Sequence, residues 1–340
     1  MTDLEEREKV IRLVGGYMVA NAMRTAIQLG VLTKLDEGPK LPSELADELG
    51  IPADNLRRLL SLLLLADLLG QDEDQRVYLT RTGRLLLPDS PDSLASFVRN
   101  FTSPLFQRAW DHLEETVRDG TAGFVREYGE QVYEYLGRHE SDSELFNLAM
   151  HDEATATARA AADLIKLDTG ETVVDVGGGD GTFLTTLLEA KPEARGVIFD
   201  SPSGIAQAQS TISSRDLDDR CTAVGGSFFE SIPTGGTTYI LKSVFQDWGD
   251  NDVLRILQTC RGAMNPEARL LIIGNVLPEQ HDSAAAVGHL TDVCMLVISG
   301  GRERTEPEFR DLLSEAGFRT NNVQLRPLGP LSTIEARPMP

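Results

Sequence analysis

Basic residues are scarce in this 340-residue chain: 32 Lys and Arg stand against 53 Asp and Glu, a formal net charge of −21. Phosphate binding needs a surplus of cations, so nucleic acid is excluded as a partner, and an anionic membrane surface with it. Cysteine is equally sparse. Cys221, Cys260 and Cys294 lie far apart with no CxxC, which excludes a disulfide framework and a thiolate zinc site. No run approaches the roughly 20 apolar residues of a membrane span. The stretch MTDLEEREKVIRL has no apolar signal core, so a cytoplasmic location is expected.

What is present is ordinary for a globular protein, with 41% hydrophobic and 25% charged residues. The length allows two domains. Helical spacing fills the first 110 residues, beginning with VIRLVGGYMVANAMRTAIQLGVLTKL. LPSELADELG predicts a helix with Ser43 as N-cap and Gly50 as stop. NLRRLLSLLLLADLLG predicts a helix ending at Gly70, and QDEDQRVYLTRTGRLLL a short hairpin. Together they suggest a winged-helix-like unit. Such units often bind DNA, but this apolar helix carries only two basic residues, and packing or dimerisation suits so acidic a chain better. From residue 95 to 168 further helices are expected. Their aromatic residues (Phe97, Phe101, Phe106, Trp110, Phe124, Tyr128, Tyr133, Tyr135 and Phe146) are mostly core, with a minority left to line a pocket.

After residue 168 the texture changes. ETVVDVGGG, ARGVIFD, RCTAVGGSFF, TTYILKSV, ARLLIIGNV and NNVQLRPL are strand-like, with helical stretches between them. That alternation predicts an α/β fold with a parallel sheet and crossover helices. VVDVGGGDGTF places Asp175, Gly177, Gly178, Gly179 and Gly181 after the first strand, where glycines let a cofactor approach the backbone. The dinucleotide fingerprint G-x-G-x-x-G fits poorly, because its third glycine would fall on Thr182. A carboxylate at Asp175 would repel a pyrophosphate but attract an ammonium or sulfonium, the cations of S-adenosylmethionine. Asp200 ends the next strand, where an acid can take both ribose hydroxyls. The plain alternative is a tight turn.

VVDVGGGDG, GVIFD, LKSVFQDW, VLPE and GGRERTEPEFRDLLSEAGF follow one another in order. With them the chain resembles, over nearly its whole length, the class I small-molecule methyltransferases grouped with plant and bacterial O-methyltransferases. The resemblance implies a Rossmann-like sheet with helices on both faces over 169–340. Ahead of it stand a helical winged-helix-like dimerisation domain over 1–110 and a helical linker and substrate-pocket region over 111–168. It also implies a homodimer with an intertwined N-terminal region, and S-adenosylmethionine held at Asp175, Gly177, Gly179, Asp200, Phe228 and Lys242. Ser227 stands where the family usually has an acid and can still hydrogen-bond.

Two departures fall on the chemistry. The family's HDW triplet, whose His takes a phenol's proton, reads Gln246-Asp247-Trp248 here. An amide is no general base near pH 7. Asn275 stands where a Glu orients that His, and only Glu303 matches. In their place His289 and Asp292, three apart, share a helix face that the resemblance puts along the pocket. Gln246, Asp247, His289 and Asp292 are therefore candidate ligands for a divalent or trivalent metal, zinc or iron. His289 as a metal-free base, or as an ordinary core or surface residue, is the alternative. Gln246, His289 and Glu303 are the catalytic candidates, and Arg24, Phe146, Met150 and Trp248 the substrate-facing ones. The pattern is similar to C-methyltransferases of nonribosomal-peptide antibiotic biosynthesis that act on α-keto acids. Metal-assisted methylation of a β-carbon through its enolate is thus the expectation. The alternatives are O-methylation, by proximity, of an acidic phenolic or polyketide-type hydroxyl, and a cyclase or isomerase that uses the sulfonium as a fixed charge.

Overall fold

The computed structural model describes residues 3–280 and 282–340. Contacts divide it into one unit that runs to Gln107 and takes in Glu144–Glu153, and a second made of Arg108–Ser143 and Ala154–Pro340. Among the described residues no helix is long and apolar enough to cross a membrane.

In the first unit four helices, Asp3–Gln28, Val31–Asp36, Pro42–Leu49 and Ala53–Leu65, precede a hairpin of β1 (Leu69–Gln71) and β2 (Val77–Leu79). Their apolar stripes close a core of Ala26, Leu32, Leu45, Leu56, Leu60 and Val77. Helix ends differ from the sequence expectation for local reasons. Ser43 is not the N-cap: Pro42 opens that helix, and the Leu41 amide donates to Glu44 Oε2 at 2.9 Å. Gly50 does stop it in the left-handed region. The next helix ends at Leu65 rather than Gly70, because Asp67 turns to a positive φ of 57°. Gly70 lies in β1 instead, against the ring of Tyr78. The hairpin also stops short of the expected segment. Thr80 Oγ1 accepts from the Gly83 amide and caps a short helix, Arg81–Arg84. Phe97, Phe101, Phe106 and Phe146 form a chain of ring contacts in this unit.

The second unit is built on a seven-stranded sheet. Its strands are β3 (Thr172–Val176), β4 (Arg195–Asp200), β5 (Cys221–Gly225), β6 (Thr238–Lys242), β7 (Arg269–Gly274), β10 (Phe318–Leu328) and β11 (Leu331–Pro338). Two short strands, β8 (Val276–Leu277) and β9 (Arg304–Thr305), pair separately. The sheet order is β10-β11-β7-β6-β3-β4-β5, with β11 antiparallel to both of its neighbours and the other pairings parallel. Strand residues alternate between two cores, as a period of two requires. Val174, Val176, Leu241, Leu270 and Ile272 face the Asp250–Ala263 and Glu306–Glu315 helices. Val173, Ile198, Ile240, Leu271 and Ile273 face the Thr182–Glu189 helix and Ala158 and Ala161. The expected α/β sheet with helices on both faces is present. The final strand β11 was not expected, because an antiparallel hairpin needs no crossover helix to announce it.

The chain runs from β3 outward to β5, then returns to place β6 on the other side of β3. Such a reversal opens a crevice beyond the carboxyl ends of the strands. Asp175 on β3, Asp200 on β4 and Lys242 on β6 all stand at that edge.

Candidate active site

The glycine loop after β3 is shaped by close packing. Gly177 has a φ of +79°, and a Cβ there would lie 2.6 Å from Val244 Cγ2. Its amide and that of Gly178 both donate to the Phe199 carbonyl, at 2.8 and 3.2 Å. The loop is thus tied to the end of β4. There the Gly179 and Ser201 amides donate to the two oxygens of Asp200, at 2.9 and 2.6 Å. Burial raises the Asp200 carboxyl above its ordinary range while these amides oppose the rise.

Asp175 is 1% exposed, and its Oδ2 has no hydrogen-bond partner among the described residues. Burial pushes its carboxyl up to about 7, against the pull of Lys242. A buried carboxyl oxygen left without a donor calls for a cation or a proton donor from outside the chain. The fit to the ammonium and sulfonium of S-adenosylmethionine is therefore good. Ser227 closes a turn here: its Oγ accepts from the Phe229 amide at 3.3 Å and its carbonyl from Glu230 and Ser231. Phe228 and Phe229 both meet Trp248 edge-on, at 5.9 and 4.8 Å between centroids. Trp248 is accordingly held as part of an aromatic cluster.

Beyond β6 the chain bends sharply. Ser243 adopts a positive φ of 55°, and Phe245–Asp247 form one 3-10 turn. Two contacts fix it. Only glycine fits at 301, because a Cβ there would lie 2.0 Å from the Gln246 carbonyl oxygen. Arg304, 1% exposed, donates to the carbonyls of Phe245 and Trp248 at 2.9 and 2.8 Å and to Asp250 Oδ1 at 2.9 and 2.7 Å. Within this frame the Tyr133 hydroxyl donates to Asp247 Oδ2 at 2.7 Å. Burial pushes Asp247 up to about 7, with the Tyr133 bond opposing.

Pairing of β8 with β9 sets Val276 against Arg304, which brings the preceding residues of both strands together. Asn275 Nδ2 donates to Glu303 Oε1 at 2.7 Å, and both side chains are buried. Burial lifts Glu303 to about 7, and Asn275 opposes the rise. Asp292, on the Ala286–Ile298 helix, accepts from the Glu303 amide at 2.8 Å. His289 is half-buried on the same helix. Of the expected substrate residues, Arg24, Phe146 and Met150 belong to the first unit. There Arg24 Nη2 donates to Asn21 Oδ1 at 2.9 Å, and Phe146 stacks on Phe106.

The sequence reading missed Tyr133 and Arg304. Tyr133 is 114 residues from Asp247, and nothing local marks a hydroxyl for a distant carboxylate. Arg304 sits in the charged stretch GGRERTEPE beside Arg302, and nothing local marks it as the one whose guanidinium is buried on several acceptors.

The proposed metal set does not assemble. Among the described residues no group of three or more His, Cys, Asp or Glu side chains is arranged to hold an ion. Asp247 is engaged by Tyr133 and Asp292 by the Glu303 amide. Gln246, Asp247, His289 and Asp292 are thus not a metal site, and no step is derived through zinc or iron.

Comparison with known proteins bears on the reaction itself. Residues 110–319 match the model of the O-methyltransferase domain, and residues 11–89 that of the O-methyltransferase dimerisation domain. The O-demethylpuromycin-O-methyltransferase of Streptomyces alboniger is 37% identical, over 98% of this chain and 89% of its own length. The 8-amino-8-demethylriboflavin N,N-dimethyltransferase of Streptomyces davaonensis is 33% identical over 94% of this chain and 92% of its own. The solved structure of the mitomycin 7-O-methyltransferase MmcR superposes with a TM-score of 0.87 at 34% identity, covering 98% of both chains. These relatives methylate oxygen or nitrogen, which overturns the expected metal-assisted C-methylation of an α-keto acid. The chain belongs to the O-methyltransferase family with an N-terminal dimerisation domain, and it is an S-adenosylmethionine-dependent methyltransferase.

Proposed function

We propose that the protein methylates an acidic hydroxyl on a small aromatic molecule of antibiotic metabolism, working mainly by proximity. One observation carries the reading. The position that resemblance assigns to an imidazole base holds Gln246, an amide that cannot take a proton near pH 7. Asp175 feels the charge of Lys242 and Glu303 that of Arg304, and Arg304 is already engaged by Asp250 and backbone carbonyls. With no base at Gln246, the site suits a cationic donor and a hydroxyl that ionises readily.

Asp175, Gly177, Gly179, Asp200, Ser227, Phe228 and Lys242 would hold S-adenosylmethionine, which supplies an electrophilic methyl group. The chain's own residues supply position. Gln246 accepts or donates a hydrogen bond at the acceptor and orients it, the Asn275–Glu303 pair stands beside that turn, and Trp248 with Phe228 closes the aromatic side. Holding the two reactants in contact can supply about 7–11 kcal/mol of the barrier. That suffices where the hydroxyl ionises readily. The test is a panel: purified protein, S-adenosylmethionine and aromatic hydroxyl compounds including O-demethylpuromycin and 3-amino-4-hydroxybenzoate. The expected result is a one-methyl mass gain with equimolar S-adenosylhomocysteine. Transfer to an α-keto acid and to no hydroxyl would sink the reading.

A further inference from the structure

We propose that Asp247 takes the acceptor's hydroxyl proton, positioned for it by the Tyr133 hydroxyl. The proposal rests on the reading above that the acceptor is a hydroxyl. Gln246 cannot accept that proton, so a neighbour must, or water does. Asp247 is the adjacent residue of the same rigid turn, fixed by Gly301 and Arg304. Tyr133 occupies Oδ2 at 2.7 Å, and Asp247 makes no other side-chain hydrogen bond among the described residues. Oδ1 is left for a ligand. The Tyr133 hydroxyl also lies within electrostatic reach of Asp200 at the end of β4. The turn that carries Asp247 begins three residues after Lys242 at the end of β6.

The other titratable groups around Asp247 are less suited. Cys294, from the Ala286–Ile298 helix, is pushed up to about 12 by burial and stays a neutral thiol. Glu303 is tied to Asn275. Asp247 itself is lifted to about 7 by burial, closer to a phenol's value of about 10 than an ordinary carboxyl would be. The transfer is correspondingly less uphill. In the step the O–H bond breaks and its proton goes to Asp247 Oδ1. The oxygen's lone pair forms the O–CH3 bond as the CH3–S bond breaks, and that electron pair stays on sulfur. Asp247 then gives the proton to water.

The test compares full-length wild type, Asp247→Asn and Tyr133→Phe on two acceptors. One is the phenol that wild type turns over best in the panel above. The other is its nitro-substituted analogue, already ionised at the assay pH. Asp247→Asn is expected to lose about 100-fold or more in kcat on the phenol and less than about tenfold on the ionised analogue. Tyr133→Phe is expected to lose about tenfold in kcat on the phenol with KM unchanged. Equal losses of Asp247→Asn on both acceptors would show a merely structural role and overturn the proposal. So would no loss on either. If wild type methylates no hydroxyl at all, the function reading fails first and the proposal falls with it.

Discussion

Gln246→Ala should cost turnover less than about tenfold, because a neutral amide contributes orientation rather than proton transfer. Gln246→His alone should gain little. Asn275 offers an amide where an imidazole would need a carboxylate to fix its tautomer. Combined with Asn275→Glu, the change should extend turnover to weakly acidic hydroxyls, measured as initial rates across a phenol series. His289→Ala should leave turnover within about threefold, and so should a chelator, since among the described residues His289 belongs to no donor set of three. Asp175 gives a pH dependence. Its folded carboxyl sits near 7 against an ordinary 3.8. Between those values the ligand-free folded state binds more protons than the unfolded chain, so this contribution to stability is full below about pH 4 and is lost as pH rises through 7. Donor binding runs the other way, because the ionised form attracts the cation. Calorimetric titration should show S-adenosylmethionine binding tighter at pH 8 than at pH 6, and Asp175→Asn should weaken it about tenfold and flatten the slope. The place of Asp175 was legible in the sequence because a strand end and a glycine loop mark it, and those of Gln246, Asn275 and Glu303 through the resemblance of their motifs. Tyr133 was not, since only the folded chain brings it to Asp247. The metal reading failed for a related reason: a shared helix face for His289 and Asp292 says nothing of what Asp292 already accepts.

Among the elements, the turn Phe245–Asp247 depends most on a single side chain. Arg304→Met should lower stability by about 3 kcal/mol in urea unfolding, because it strands the buried carbonyls of Phe245 and Trp248. Arg304→Lys should recover only part of this, since a point ammonium cannot reproduce a planar fork that bonds two carbonyls and Asp250. The bodies of helices and parallel strands were legible from spacing, while their ends were not. Asp67 at positive φ and the Thr80 cap redirect the chain in ways that apolar periodicity does not encode. β11 was hidden for lack of a preceding helix.

For the whole molecule, the alternation of strands and helices and the order of motifs announced the architecture, and the sheet reversal at β3 explains why the cofactor residues gather at one edge. The first helix leaves Leu4, Ile11, Leu13 and Tyr17 well exposed, each more than 60%. A monomer rarely leaves such a face to water, and the dimerisation domain match accounts for it. Ile11→Glu with Leu13→Glu should shift the protein from dimer to monomer in sedimentation velocity. The most direct measurement is transfer of a carbon-13-labelled methyl group from S-adenosylmethionine to an accepted substrate, with the product's connectivity read by NMR. The expected result is a methyl group bonded to oxygen; a methyl bonded to carbon, lost on chelation, would contradict it.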